Sequence, residues 1–521
     1  MLQCSKAQCF MDAPQALPSD PQSDTTAPPP AFTHQQIISA VSGVLLCIFL
    51  AALDQTVVVP AVPAIAADLN GFGQLAWIVS AYLLTSTAAT PIYGKLSDIY
   101  GRRALLLPAI VAFAAASALC ALSQTLPQLI AARALQGLGG AGLMAMAQAV
   151  IADVVAPRER GRYQAYMAGT WGAASVSGPI VGGWLTEHLS WHWIFWINLP
   201  VCALAFIASW RALRMLRHIR RPARIDYPGA ALLTLVVAAF LTLLSWIGEG
   251  QSGAALAIPG AITVLGLTAL IVQQRTAADP LLPPRLFAKP VVVCGILIGA
   301  LGSAAMLGAT FLLPLFFQLA RGAGEANSGA QLVPLLVVST MGAFIGGQFA
   351  RRMGKVKAIM LTGLSLSTIG FLILSMADAT TPTPVLLAEI ALIGLGIGVC
   401  MPNSVVIVQN ACERRDIGAA TGALLLLRSL GSAVGSTLVG AVLAVSFSNR
   451  LAGTPLAGKV DLGALHGQNA VAVTPGMAVP LANALAGGFH TAFLVCAGVT
   501  LAAIVVTAIM QDLPLRSAGQ G

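Results

Sequence analysis

The sequence predicts an all-α polytopic membrane protein with fourteen transmembrane helices, arranged as two six-helix bundles with a two-helix hairpin inserted between them. Three observations predict it. Hydrophobic residues make up 57% of the 521 and charged residues 9%, with a mean hydropathy of +0.83, so the chain lacks the polar surface to face water on all sides. Apolar windows of about 20 residues, the length that crosses a bilayer core, recur along the chain. Lys and Arg gather in alternate connections between them.

The spans fall at roughly 37–60, 74–93, 104–123, 127–150, 163–186, 191–212, 229–248, 254–273, 291–318, 329–349, 356–377, 384–410, 417–447 and 488–511. Residues 1–35, rich in Pro, Ser, Gln and Asp, read as a disordered tail. No basic segment precedes the long run from Ile37, so that run is expected to persist as the first helix and not to be a cleaved signal. Residues 36–220 then form the N-terminal bundle, 221–285 the hairpin, 286–511 the C-terminal bundle with an outer loop at 448–487, and 512–521 a second tail. All but five of the 28 Lys and Arg lie in the two tails and the even-numbered connections. Arg321, Arg450 and Lys459 fall in the opposite loops, and Arg133 and Arg428 inside spans. The positive-inside rule therefore places both termini in the cytoplasm.

An internal duplication underlies the two bundles. The turn Gly94-Lys95-Leu96-Ser97-Asp98-Ile99-Tyr100-Gly101-Arg102-Arg103 returns in worn form as Gly347 to Lys355. A second register, shifted by 257 residues, lays Gly137-Leu138-Gly139 on Gly394-Leu395-Gly396, Gly161 on Gly418, Gly178 on Gly435 and Gly183 on Gly440. Parallel repeats of this kind are a known plan of membrane transporters.

The net charge of +9 is no nucleic-acid signal, because its bases sit in the inter-span loops without interleaved aromatics. Nine scattered cysteines have no ligand spacing and read as apolar packing residues, and no metal or cofactor is expected. Six histidines (34, 188, 192, 218, 466, 490) avoid the span interiors, no nucleophile and base stand paired, and no soluble segment could house catalysis, which argues against an enzyme.

Charges at bilayer depth are costly and need a reason. The candidates are Asp54, Arg133, Glu389 and Arg428. Asp54 lies about 25 Å along span 1 at 1.5 Å per residue. It is either a structural aspartate near a Pro-bent helix end or a proton site, a carboxylate out of water that binds and releases a proton as access alternates. Arg133 reaches a comparable depth from span 4, so the two can interact; alternatively Arg133 fixes packing through backbone carbonyls. Glu389, near the outer start of span 12, is expected to snorkel to the interface. Arg428 stands near mid-membrane, with Trp171 as its repeat mate, and either meets substrate or braces helices.

Glycines supply the remaining signals. Gly172 and Gly178-Pro179-Ile180-Val181-Gly182-Gly183 on span 5 allow close packing and, through Pro179, a bend, so they are candidates for a hinge or seal. In the opening turn Gly94 and Gly101 permit tight backbone, Asp98 can cap the following helix or pair with a base, and Arg102 and Arg103 face headgroups. Arg351 replaces Asp98 in the worn copy, so the two halves cannot make the same ion pairs and Asp98 is expected to serve a one-sided latch.

Taken together, Gly94 to Arg103, the Asp54 segment, Trp77-Ile78-Val79-Ser80-Ala81-Tyr82, Arg133 with Gln136, Gly137 and Gly139, the Gly172 to Gly183 segment, Trp191 to Pro200 and Asp226-Tyr227-Pro228-Gly229 resemble the motifs of the fourteen-span drug/proton antiporters of the major facilitator superfamily, the EmrB/QacA type. The likeness covers about residues 37–511; His192 stands where an arginine is usual. The resemblance implies the major facilitator fold in a bacterial cytoplasmic membrane, with export of a lipophilic small molecule in exchange for protons. It assigns coupling to Asp54 and Arg133, and it allows a periplasmic adaptor, for which the sequence shows no docking signal. Trp77 and Tyr82 could then line the substrate cavity, or merely pack, and Gln136, Glu389 and Arg428 are further candidates for it. An uptake symporter of a small metabolite is the alternative on the same fold, and the Gly178-Pro179 motif argues against it.

Overall fold

A computed structural model describes residues 34–69, 76–155, 157–215, 226–248, 253–322, 330–378, 380–413, 416–452 and 475–515. Most of the tails expected at 1–35 and 512–521, and most of the outer loop expected at 448–487, lie outside these residues. Every extended element described is helical: α1 His34–Val57, α2 Ala76–Tyr100, α3 Arg102–Ala121, α4 Leu126–Val154, α5 Pro157–His188, α6 Asn198–Ala212, α7 Tyr227–Gly248, α8 Ala254–Thr276, α9 Pro290–Leu315, α10 Val333–Met353, α11 Lys357–Ser375, α12 Thr383–Ala411, α13 Ile417–Leu451 and α14 Pro475–Ile509.

Twelve helices of the described residues are long and apolar enough to cross a membrane. α2 and α5 are long as well, but they are outside that set. They are also the helices that meet the other half of the molecule, α2 against α13 and α5 against α10. A helix covered by protein on one face needs less lipid-facing apolar surface, which permits this polarity, although α10 and α13 make the same crossings and stay in the set.

Each half has its own core. Phe113, Met146 and Ile151 pack with Val44 and Ile48 in the first, and Phe316, Phe317, Phe489 and Phe493 cluster in the second, with edge-to-face rings. Glycine contacts recur between the halves. A Cβ on Gly137 would strike the Tyr82 carbonyl, and one on Gly394 would strike the Leu335 carbonyl, 253 residues on from Tyr82. Gly101 and Gly354, the closing glycines of the two turns, both have positive φ, 90° and 66°, a backbone region that disfavours side chains.

Two boundaries differ from the sequence expectation. The sixth span is broken, with Trp193–Trp196 as a separate helical turn and Asn198 opening α6. The last helix starts at Pro475, so residues 475–487, expected in a loop, are helical. Residues 475–487 hold two prolines, two glycines and Asn483, which read as a loop, although the run continues a helix anchored further on by Phe489 and Phe493.

Candidate functional site

The two charges that stood out in the first half come together. Arg133 Nη1 donates to Asp54 Oδ2 at 2.6 Å, with the pair 1% and 0% exposed. Gln136 Nε2 and Asn198 Nδ2 donate to Asp54 Oδ1 at 2.7 and 2.8 Å. Arg133 also donates to Gln136 Oε1 at 2.6 Å and to the Ile78 carbonyl at 3.2 Å. Ser117 Oγ accepts from Gln136 at 2.7 Å. The guanidinium lies over the Tyr82 ring, 4.5 Å from its centroid, with Phe195 at 5.8 Å.

Local sequence builds this network. Gly137 lets α4 touch the α2 backbone at Tyr82, and Gly139 lets it touch α3 at Phe113, where a Cβ would lie 2.8 Å from the backbone. At that spacing Arg133 and Gln136 of α4 and Asn198 of α6 reach one carboxylate, and Ser117 of α3 accepts from Gln136 beside it. A paired, fully hydrogen-bonded charge avoids most of the cost of burial, and losing one partner leaves the other uncompensated.

The glycines of α5 seat that helix directly behind Asp54. Gly178 packs on Thr56 and Gly182 on the Val57 backbone, while Thr56 Oγ1 donates to the Ala174 carbonyl at 3.0 Å. Pro179 is exposed and Gly183 faces open space. A shift of α5 against α1 would therefore act on the turn that carries Asp54.

The opening turn joins the halves. Asp98, its side chain 8% exposed, accepts from Arg102 Nη1 at 2.7 Å. It also accepts from the backbone N–H groups of Gly418 and Ala419, at 3.2 and 3.0 Å. It caps α13, from the other half, whereas the following helix, α3, has no side-chain cap. Arg102 continues to Asp153 at 2.8 Å and to Ser97 Oγ, and Arg103 lies over the Trp210 ring at 4.7 Å. Gly94 meets Gly418 backbone to backbone, and Gly347 meets Gly161 in the same way. These contacts pair the two turns with the starts of α13 and α5. At the second one Arg351 faces Glu159 at 3.7 Å, both about two-fifths exposed.

Along both crossing helices the seal loosens away from the turns. Residues 417–424 of α13 are all buried, but most from 427 to 438 are partly exposed, and α5 changes likewise after Met167. The two halves are packed most tightly at the end carrying Gly94–Arg103 and less closely beyond it, where Gly172 of α5 still meets Thr340 of α10.

Other expected residues are placed differently. Trp77 is 42% exposed, whereas Tyr82 and Gln136 are buried in the Asp54 network. Glu389, expected at the interface, is 7% exposed, with Oε2 lacking a partner. Arg428 touches Ser303 Oγ through Nε at 3.3 Å and Met401 Sδ through Nη2 at 3.2 Å. Ser117 and Asn198 escaped the sequence reading; the single polar residue in the apolar Trp193-Ile194-Phe195-Trp196-Ile197-Asn198-Leu199 stretch was the available signal.

With this geometry in view, a profile of the Major Facilitator Superfamily matches residues 44–436. The chain belongs to that superfamily and is a multi-pass membrane transporter. It is 33% identical over 505 residues to an uncharacterized MFS-type transporter of Mycobacterium tuberculosis, covering 95% of this chain and 73% of that one. It is 35% identical over 413 residues to the multidrug transporter protein MdtP of Bacillus subtilis, covering 79% and 76%. Among solved structures, the human organic anion transporter MFSD10 superposes with a TM-score of 0.61 over 90% of this chain and 99% of that one, at 17% identity, a likeness of fold.

Proposed function

We propose that the protein is a proton-coupled antiporter that exports lipophilic drugs or related small molecules across a bacterial cytoplasmic membrane. The observation that carries this reading is the buried Asp54–Arg133 pair, placed on the helix against which Gly178 and Gly182 pack. The similarity to MdtP supports drug efflux as the direction. In this reading α2 and α5 complete fourteen spans, both termini are cytoplasmic, and the closed end is the cytoplasmic one, so the structure corresponds to an outward-facing state. Asp98 holds that state through its cap on α13. Outward release occurs with the turns locked, and proton uptake by Asp54 loosens its hold on Arg133 and lets α5 and α1 rearrange toward the opposite state. Rocking of the halves about the glycine contacts then alternates access.

Everted membrane vesicles test the direction. Acidifying their interior should drive accumulation of a dye or antibiotic from a test panel, and the panel should reveal at least one such substrate. Substrate loss from the vesicles under the same gradient would favour the uptake symporter instead.

A further inference from the structure

We propose that Arg428 anchors the acidic group of the transported molecule, so that the preferred substrates are lipophilic anions, such as aryl carboxylates, over lipophilic cations; this rests on the export reading above. Arg428 lies ten residues past Gly418 on α13, about 15 Å along the helix axis. This is the middle of a hydrocarbon core about 30 Å thick. It stands next to Ser429, whose Oγ meets Thr87 Oγ1 of the other half at 2.7 Å. That contact lies just past the fully buried residues 417–424, where α13 is already partly exposed. Arg428 thus stands one residue from a contact between the halves, on the partly exposed stretch of α13.

Its hydrogen bonding is incomplete. A guanidinium has five N–H donors, and here two of them meet a serine hydroxyl at 3.3 Å and a thioether sulfur at 3.2 Å, both on its own half. Among the described residues no carboxylate lies within ion-pair distance of it. Arg133 is the contrast: 1% exposed in its own half, it is closed off by a carboxylate, an amide, a carbonyl and two rings. A cation in a low-dielectric site without a counter-ion strongly favours a ligand that brings one, and the planar fork suits a carboxylate in two-point contact. Its repeat mate Trp171, partly buried on α5, packs against Ala52, Leu53 and Ala174 and brings no charge to the related position. The acids of the spanning helices are not available to a cationic drug at this level: Asp54 is spent on Arg133, and Glu389 is buried on α12 among its own half.

The test uses purified full-length protein in nanodiscs and three probes of one shape: 1-naphthoate, 1-naphthamide and 1-naphthylmethylammonium. Binding is read by equilibrium dialysis, without any gradient, so the result does not depend on export or proton coupling. The wild-type protein should bind naphthoate at least tenfold more tightly than the other two. Arg428→Gln should erase the preference, and Arg428→Lys should keep part of it. Equal binding of the three probes by the wild type, preference for the ammonium, or no binding of naphthoate at millimolar concentration would overturn the proposal, as would an undiminished preference in Arg428→Gln. If the preference holds while vesicles fail to accumulate substrate on interior acidification, the export reading fails and the anion site stands.

Discussion

Asp54 and Arg133 were legible because a charge in an apolar run is rare enough to stand out on its own. Ser117 and Asn198 were not, since neutral polar residues are common in spans and a helix apolar all round gives no periodicity to say which face turns inward. The ranking of the partners is testable. Gln136 contacts Asp54, Arg133 and Ser117, whereas Asn198 reaches Asp54 and, weakly at 3.4 Å, Ser117. Gln136→Leu is therefore expected to cost about 3 kcal/mol or more, and Asn198→Ala about 1 kcal/mol, given the cost of stripping partners from buried charges. Thermal unfolding in detergent should give that order, and equal midpoints would contradict the assigned network.

Helices were legible to within a few residues where apolar length decided them, and least so where packing did, as at the early start of α14 and the break before Asn198. The duplicated turn was readable as a repeat, but its partner was not. No sequence pattern says that Asp98 caps α13, more than 300 residues on. Removing a helix cap costs about 0.5–2 kcal/mol, so Asp98→Ala should lower the closed-to-open ratio at this end between about 2-fold and 30-fold. Spin labels at Tyr100 and Glu413 would read this as a longer-distance population, and an unchanged distribution would contradict the latch. Gly418→Val should act more strongly on the same readout, because its side chain would press on the Gly94 carbonyl and the Asp98 carboxylate, and overpacking costs about 1–3 kcal/mol.

For the whole molecule, the two crossings α2 with α13 and α5 with α10 use the same glycine geometry, and the first adds a buried carboxylate cap. The hairpin covers that capped crossing: Leu233 and Val237 of α7 and Leu270 of α8 pack with Ala88 of α2 and Leu426 of α13. The connection after it is tied to both halves, through Lys95 with Asp279 at 3.5 Å and Arg285 with Asp416 at 2.8 Å. Motion at the α2–α13 seam therefore has to disturb the hairpin. Leu233→Asp, which puts a charge into that apolar seat, should increase the longer-distance population of the Tyr100–Glu413 label pair while leaving labels within one half unmoved.

The coupling claim is tested most directly by Asp54→Asn in everted vesicles, measured two ways with one transported substrate. Exchange of labelled for unlabelled substrate without a gradient needs only alternating access, while uphill accumulation on interior acidification also needs the proton site. The variant should be present in the membrane, should retain exchange and should lose gradient-driven accumulation. Accumulation at the wild-type level by Asp54→Asn would contradict the account.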